Sequence, residues 1–226
     1  MDGIIEKRKL IIVGATEFAE IASEYFEETG KYEVVAFSVN RDYINSNCLK
    51  GRPVVPFENI ENEYSPETHC MFTAVTYGRL NQLREKLYKE GKKKGYRFVS
   101  YVSPYSFVYK NVEIGENSFV FEDNTLQYNV KIGDGVILWS GNHIGHSARV
   151  GDFAFISSHV VISGYCLVGH HSFCGVNSTM GNNIELPPNS LLAAGTVMVH
   201  SGTEEGKTYV GNPCRVISKS AYDFFA

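Results

Sequence analysis

From Val108 onward every sixth residue is apolar: Val108, Ile114, Val120, Leu126, Ile132, Leu138, Ile144, Val150, Ile156, Ile162, Val168, Cys174, Met180, Leu186, Leu192 and Met198. With 43% of the chain hydrophobic, chance gives such an unbroken run of sixteen with a probability on the order of 10⁻⁶. The position four places further on is mostly small or β-branched, as at Val136, Ala148, Ala154, Val160 and Cys166. Glycine often follows the apolar position directly, as at Gly115, Gly133, Gly145, Gly151, Gly169, Gly175 and Gly181. A step of six is too long for the two-residue alternation of a strand and too regular for a helix. A short strand plus a turn satisfies it: one large side chain points inward from each face of a prism, a smaller neighbour fills the corner, and glycine relieves the turn. Three hexads close one triangular coil, so residues 18 apart stack at the ~4.8 Å spacing of adjacent strands, and the run builds roughly five coils of a parallel β-helix. Because the register is unbroken, no long loop is expected to leave the prism.

The first hundred residues have another rhythm. Residues 9–13 read as a strand ended by Gly14, and Thr16 stands where it can cap a helix whose apolar stripe is Phe18, Ile21, Ala22, Tyr25 and Phe26. Strands are expected over 32–37, 71–75 and 96–101, with a helix marked by Leu80, Leu83 and Leu87 and closed by Gly91. Strands alternating with helices imply a small parallel sheet, whose ligands bind beyond the carboxyl ends of the strands. The expected organisation is a Rossmann-like α/β domain over 1–103, the prism over 104–217, and a tail or short helix over 218–226.

Composition narrows the partners. The 21 Lys and Arg against 25 Asp and Glu leave a net charge of −4 and no basic excess for a nucleic acid backbone. No apolar run approaches the roughly 18 residues of a membrane span, and no charged start leads into a signal-peptide core, so the reading is a cytoplasmic protein without membrane insertion. The five cysteines form an odd set without a C-x-x-C pair, which speaks for reduced thiols rather than disulfides or a zinc cage.

The hexads resemble those of the left-handed β-helix acyltransferases. The order of parts is more specific: Gly14-Ala15-Thr16-Glu17-Phe18-Ala19 at the first loop, then the prism, then Val210-Gly211-Asn212-Pro213-Cys214-Arg215-Val216-Ile217. That order is similar to the bacterial nucleotide-amino-sugar N-acetyltransferases of surface-glycan pathways, the bacillosamine and perosamine acetyltransferases and their sialic acid O-acetylating kin. The resemblance implies a left-handed coil, acetyl-CoA as co-substrate, no metal, a homotrimer, and a nucleotide-linked amino sugar as acceptor. It puts the catalytic base on His146, within Ile144-Gly145-His146-Ser147, with Ser147 where relatives carry an acidic residue and Asn142 and His143 as substitutes for that partner. It puts acetyl-CoA contacts on Phe155, Gly164, Val176, Ala194 and Gly195, and acceptor contacts on Gly14, Ala15, Thr16, Ser38, Arg84, Asn142 and His143.

The residues bear on this chemistry independently. Acyl transfer to an amine needs a proton acceptor with a pKa near 7 and a donor for the developing oxyanion. His146 lies two places after the inward Ile144 and so points outward at a corner; Gly164 lies one coil above, where its N–H is expected to face a thioester oxygen. A histidine on a repetitive surface is ordinarily a polar face residue, and His159, His170 and His171 are read that way. An outward row at 18-residue steps, Phe119, Ile137, Phe155 and Phe173, is too apolar for water and is expected to be covered by three-fold packing. Transfer to a sugar hydroxyl would use the same machinery. A non-catalytic trimeric scaffold is a further alternative, as is a γ-type carbonic anhydrase, in which His146 with His159 or His170 would bind zinc between subunits, although those enzymes lack the α/β start.

Overall fold

A computed structural model describes residues 7–225; residues 1–6 and Ala226, which belong to the expected first domain and tail, lie outside the described residues. The chain forms two compact units, one made of the residues up to Val75 with Lys86–Val99, the other of Thr76–Glu85 with the residues from Ser100 on.

The first unit is an α/β sheet. Strands β1 (Arg8–Val13), β2 (Tyr32–Val39), β3 (Cys48–Leu49), β4 (Arg52–Pro56), β5 (His69–Thr73) and β6 (Arg97–Phe98) line up in the order β3-β4-β2-β1-β5-β6. All neighbours are parallel except the β3–β4 hairpin, for which the sequence reading had no element. Helix α1 (Glu17–Glu28) buries Phe18, Ala19, Ala22, Ser23 and Phe26, a stripe rotated slightly from the expected one, so that Ile21 and Tyr25 are only half-buried. Thr16 occupies the N-cap position, but its side chain makes no capping bond. Gly14 is conformationally required: its φ is +136°, and a Cβ there would lie 2.6 Å from the Ala74 carbonyl oxygen.

Helix α2 (Gln82–Lys93) departs from expectation at both ends. Leu80 is not on it; Arg79, Leu80 and Asn81 all have positive φ and form a tight bend before it. Gly91 lies within the helix, at a point where a Cβ would come within 2.6 Å of the Phe98 ring, and Gly95, with φ +93°, follows its end. Among the described residues no helix is long and apolar enough to cross a membrane.

The second unit is the prism, a left-handed parallel β-helix of two-residue strands. Its first face runs through Tyr101–Val102, Phe119–Val120, Ile137–Leu138, Phe155–Ile156, Phe173–Cys174 and Leu191–Leu192; the second through Phe107–Val108, Thr125–Leu126, His143–Ile144, Val161–Ile162, Thr179–Met180 and Val197–Met198; the third through Glu113–Ile114, Lys131–Ile132, Arg149–Val150, Leu167–Val168 and Glu185–Leu186. Every pairing is 18 residues apart, as in Phe119↔Ile137 and His143↔Val161. The second residue of each strand points inward, and from Val120 to Met198 these residues are buried. The coil begins one hexad before Val108, at Tyr101–Val102. It is closed by Thr208–Val210, which pairs with Leu191–Leu192 and carries the antiparallel strand Arg215–Ile217. The tail forms one short turn at Tyr222–Phe224.

Corners are built from left-handed residues stacked every 18, as in Asn117, Gly135, Phe153, His171 and Asn189. Side chains of one coil cap corner amides of another: Asn124 Oδ1 accepts from Asn142 N–H, Asn142 Oδ1 from Val160 N–H, and Asp152 Oδ1 from Asp134 N–H. Buried amides between faces are satisfied in this way.

The outward row of the first face is covered by the same chain, contrary to the expectation of three-fold packing. Phe119 and Ile137 are fully buried and Phe155 nearly so. Tyr77 sets its ring edge-on against Phe155 and Phe173, at 5.2 and 5.4 Å, Phe225 packs on Phe173, and Leu80 clusters with Leu191 and Ala221.

Candidate active site

Of the expected catalytic and ligand residues, His146 and Gly164 share the corner between the second and third faces. Ile144 anchors the strand inward, and Gly145 must lack a side chain because a Cβ would lie 2.6 Å from Gly164 N. His146 then emerges into solvent, its own N–H held by Gln127 Oε1 at 3.0 Å. Its imidazole lies across Gly164, so closely that a Cβ there would fall 2.6 Å from Nε2. Tyr165 stands edge-on to the ring at 4.9 Å. Beside it opens a shallow pocket of ≈ 250 Å³ lined by Phe107, Tyr109, Gln127, Tyr128 and His146. The His146 ring nitrogens have no hydrogen-bond partner among the described residues, and Ser147, at φ +59°, turns its hydroxyl to Asn129 Nδ2.

Several expected contacts have another place. Gly164 N–H donates to Asn182 Oδ1 at 3.1 Å, so this glycine makes room for the imidazole but its amide is already occupied. Asn142 is buried in the corner ladder, where it accepts from Val160 N–H and donates to Trp139 O at 2.5 Å. His143 is half-buried on the second face. Ser38 is fully buried, its hydroxyl donated to Val55 O. Arg84 is the largest displacement from expectation. It is fully buried, with Nε donating to Gly135 O, Nη1 to Thr76 O, and Nη2 to Phe153 O and Ala154 O. Burial lowers its pKa to about 9, and its guanidinium fastens residues 76–85 to the prism instead of reaching a ligand.

Val176, Ala194 and Gly195 are exposed together at the corner between the first and second faces, where Gly195 N–H donates to Val176 O. Phe155 is on the first face under Tyr77. One chain thus holds three of the expected coenzyme contacts, Val176, Ala194 and Gly195, on a different corner from His146 and Gly164. Ala15 and Thr16 are accessible at the start of α1 in the first unit, while Gly14 is buried with its N–H on Ser38 O. Sequence reading missed Tyr128, Gln127 and Asn182, although stepping 18 residues down and 36 up from His146 reaches Tyr128 and Asn182. Among the described residues, no three His, Cys, Asp or Glu side chains group to hold a metal.

The description "Bacterial transferase hexapeptide (six repeats)" fits residues 129–164, the stretch that contains His146 and Gly164. The matched stretch lies within the prism. No curated protein matches the chain significantly by sequence. Among solved structures, this chain superposes on the acetyltransferase domain of PglB from Neisseria gonorrhoeae FA1090 with a TM-score of 0.83 at 24% identity, over 93% of this chain and 100% of that one. PerB from Caulobacter crescentus, crystallised with CoA and GDP-perosamine, superposes with 0.82 at 22% identity, over 93% and 97%. WeeI from Acinetobacter baumannii AYE does so with 0.77 at 20%, over 93% and 100%. At these identities the likeness is one of fold.

Proposed function

We propose that this protein is an acyltransferase that moves the acetyl group of acetyl-CoA to the amino group of a nucleotide-linked amino deoxysugar, as a cytoplasmic step in surface-glycan assembly. The observation that carries the proposal is the His146 imidazole laid over Gly164 at an open, aromatic-lined corner. The fold supports it: PerB has been crystallised with CoA and GDP-perosamine and the PglB domain with acetyl coenzyme A.

In this reading His146 takes the proton from the attacking amine as nitrogen bonds to the thioester carbonyl. The C–S bond then breaks and CoA leaves as the thiol. Coenzyme A runs past Val176, Ala194 and Gly195. Because these lie on a different corner from His146, a ligand that touches both is served by two protomers of a homotrimer. Exposed apolar side chains near the His146 corner, Phe107, Val161 and Leu167, support contact between copies there. Ala15 and Thr16 present the amino end of α1 to the acceptor's diphosphate.

The test is a panel of dTDP-, UDP- and GDP-linked amino sugars offered with acetyl-CoA while free thiol is followed. One acceptor should release thiol in step with N-acetyl product. Absence of thiol release with every acceptor, together with no CoA binding by calorimetry, would leave a non-catalytic scaffold.

A further inference from the structure

With no hydrogen bond on either ring nitrogen, the orientation of the His146 imidazole is set by what the ring touches. Gly164 lies against it, and the ring of Tyr165 stands edge-on to it, with centroids 4.9 Å apart and planes at 89°. The neighbouring Ser147 gives the ring no support, because its hydroxyl is turned to Asn129 Nδ2.

Tyr165 stands where the backbone does not favour a tyrosine. It belongs to a corner row with Asn129, Ser147 and Asn183, whose φ angles are +60°, +59° and +59° beside its own +59°. Asparagine tolerates this left-handed region, whereas a bulky aromatic residue is an outlier there. Core packing does not account for the exception: Phe153, left-handed at another corner, is buried, but Tyr165 is 62% exposed. The row itself asks only for a backbone N–H. Tyr165 N–H donates to His146 O at 3.0 Å, as Ser147 N–H does to Tyr128 O in the coil below and Asn183 N–H to Gly164 O in the coil above. Glycine would supply that bond without strain. What tyrosine adds is a ring, and the aromatic partner of that ring is His146.

We propose that Tyr165 is a positioning residue, which holds the His146 imidazole over Gly164 by edge-on packing in place of a hydrogen-bonded partner on the ring. The proposal rests on the reading of His146 as the general base. A ring turned away from the attack line cannot take the amine proton, so turnover falls with the population of the productive orientation. An edge-to-face aromatic pair shifts such a population by about 3- to 10-fold, which sets the size of the effect.

The test compares Tyr165→Gly and Tyr165→Phe with the parent, all as full chains. Glycine removes the ring and suits φ +59°, so Tm should equal or exceed the parent's. Its kcat should nevertheless fall by about 3- to 10-fold, with KM for acetyl-CoA and for the acceptor unchanged. Tyr165→Phe keeps the ring and should restore kcat, and Tyr165→Gly should cost nothing further in a His146→Ala background. NMR of chains labelled with ¹³C-histidine reads the contact without substrate. The His146 ring protons should show cross-relaxation with the ring at position 165 in the parent and in Tyr165→Phe, and the His146 signal should shift or broaden in Tyr165→Gly. Absence of that cross-relaxation, or a His146 signal unmoved by Tyr165→Gly, would overturn the proposal even where His146 is the base. So would a Tyr165→Gly variant with the parent's kcat, with a raised KM alone, or with a lowered Tm. His146→Ala turning over at the parent's rate, with the ring contact present, would instead overturn the reading of His146 as base, and the proposal with it.

Discussion

The arrangement of His146 over Gly164 can be perturbed without touching the histidine. Gly164→Ala puts a methyl 2.6 Å from Nε2, 2.7 Å from Cε1 and 3.1 Å from Cδ2 of the imidazole, where ordinary contact begins at 3.4 Å. The ring must therefore retreat by about 0.8 Å at the nitrogen that takes the proton. Gly164 has no positive φ, and the clashing atoms are the far end of an exposed side chain, so the backbone accepts alanine and stability should change by about 1 kcal/mol or less. Displacing a reacting group by about 1 Å costs on the order of 10²-fold in rate. The expected result is kcat lower by about 30- to 100-fold with an unchanged Tm, and a Gly164→Ala/His146→Ala double variant no slower than His146→Ala alone, because both act on one group. Thiol release under saturating acetyl-CoA and acceptor, alongside a thermal melt, measures this. A kcat within twofold of the parent would show that the position of the imidazole over Gly164 does not matter to the reaction.

Arg84→Met should destabilise the protein by about 3 kcal/mol, because it takes the guanidinium donors from the buried Gly135 and Phe153 carbonyl oxygens, and Arg84→Lys should recover little of this, since one ammonium cannot span Gly135, Thr76 and Phe153; chemical denaturation reads both. A chain beginning at residue 103 lacks Tyr77, Leu80 and Arg84, so it should uncover the Phe155–Phe173 row and self-associate beyond a defined oligomer in sedimentation, whereas a discrete species would show that the row needs no cover. Ser147→Asp sets a carboxylate next to His146 at a left-handed position that aspartate tolerates. The charge favours the imidazolium, so the acidic limb of the kcat profile should move to higher pH, and an unmoved limb would place the new carboxylate out of reach.

The prism was legible because a six-residue period admits few physical solutions and each inward residue, from Val120 to Met198, repeats the same local statement. The His146–Gly164 contact followed from that period, since 18 residues is one coil. What escaped the sequence depends on single long-range matches with no period to betray them. Tyr77 and Leu80 cover an apolar row that any large apolar surface could have covered, including another subunit's. Leu80 fitted a helical stripe with Leu83 and Leu87, yet it lies in a left-handed bend whose energy is recovered by packing on Leu191. Arg84 illustrates the same limit: the resemblance puts it against the acceptor, and nothing in the sequence announces the carbonyls that consume its donors. Asn142 and Ser38, which the resemblance puts against the acceptor, and the Gly164 amide, which the stacking of coils puts beside His146, are each engaged by the fold itself.

The most direct test of the account is kcat against pH for the parent and for His146→Ala, with acetyl-CoA and an amino-sugar acceptor identified from the nucleotide panel. A general base over Gly164 predicts that the variant is slower by about 10²–10⁴-fold and loses the acidic limb seen in the parent, with CoA affinity unchanged. Two curves that coincide in height and shape would make His146 a surface histidine and contradict the mechanism.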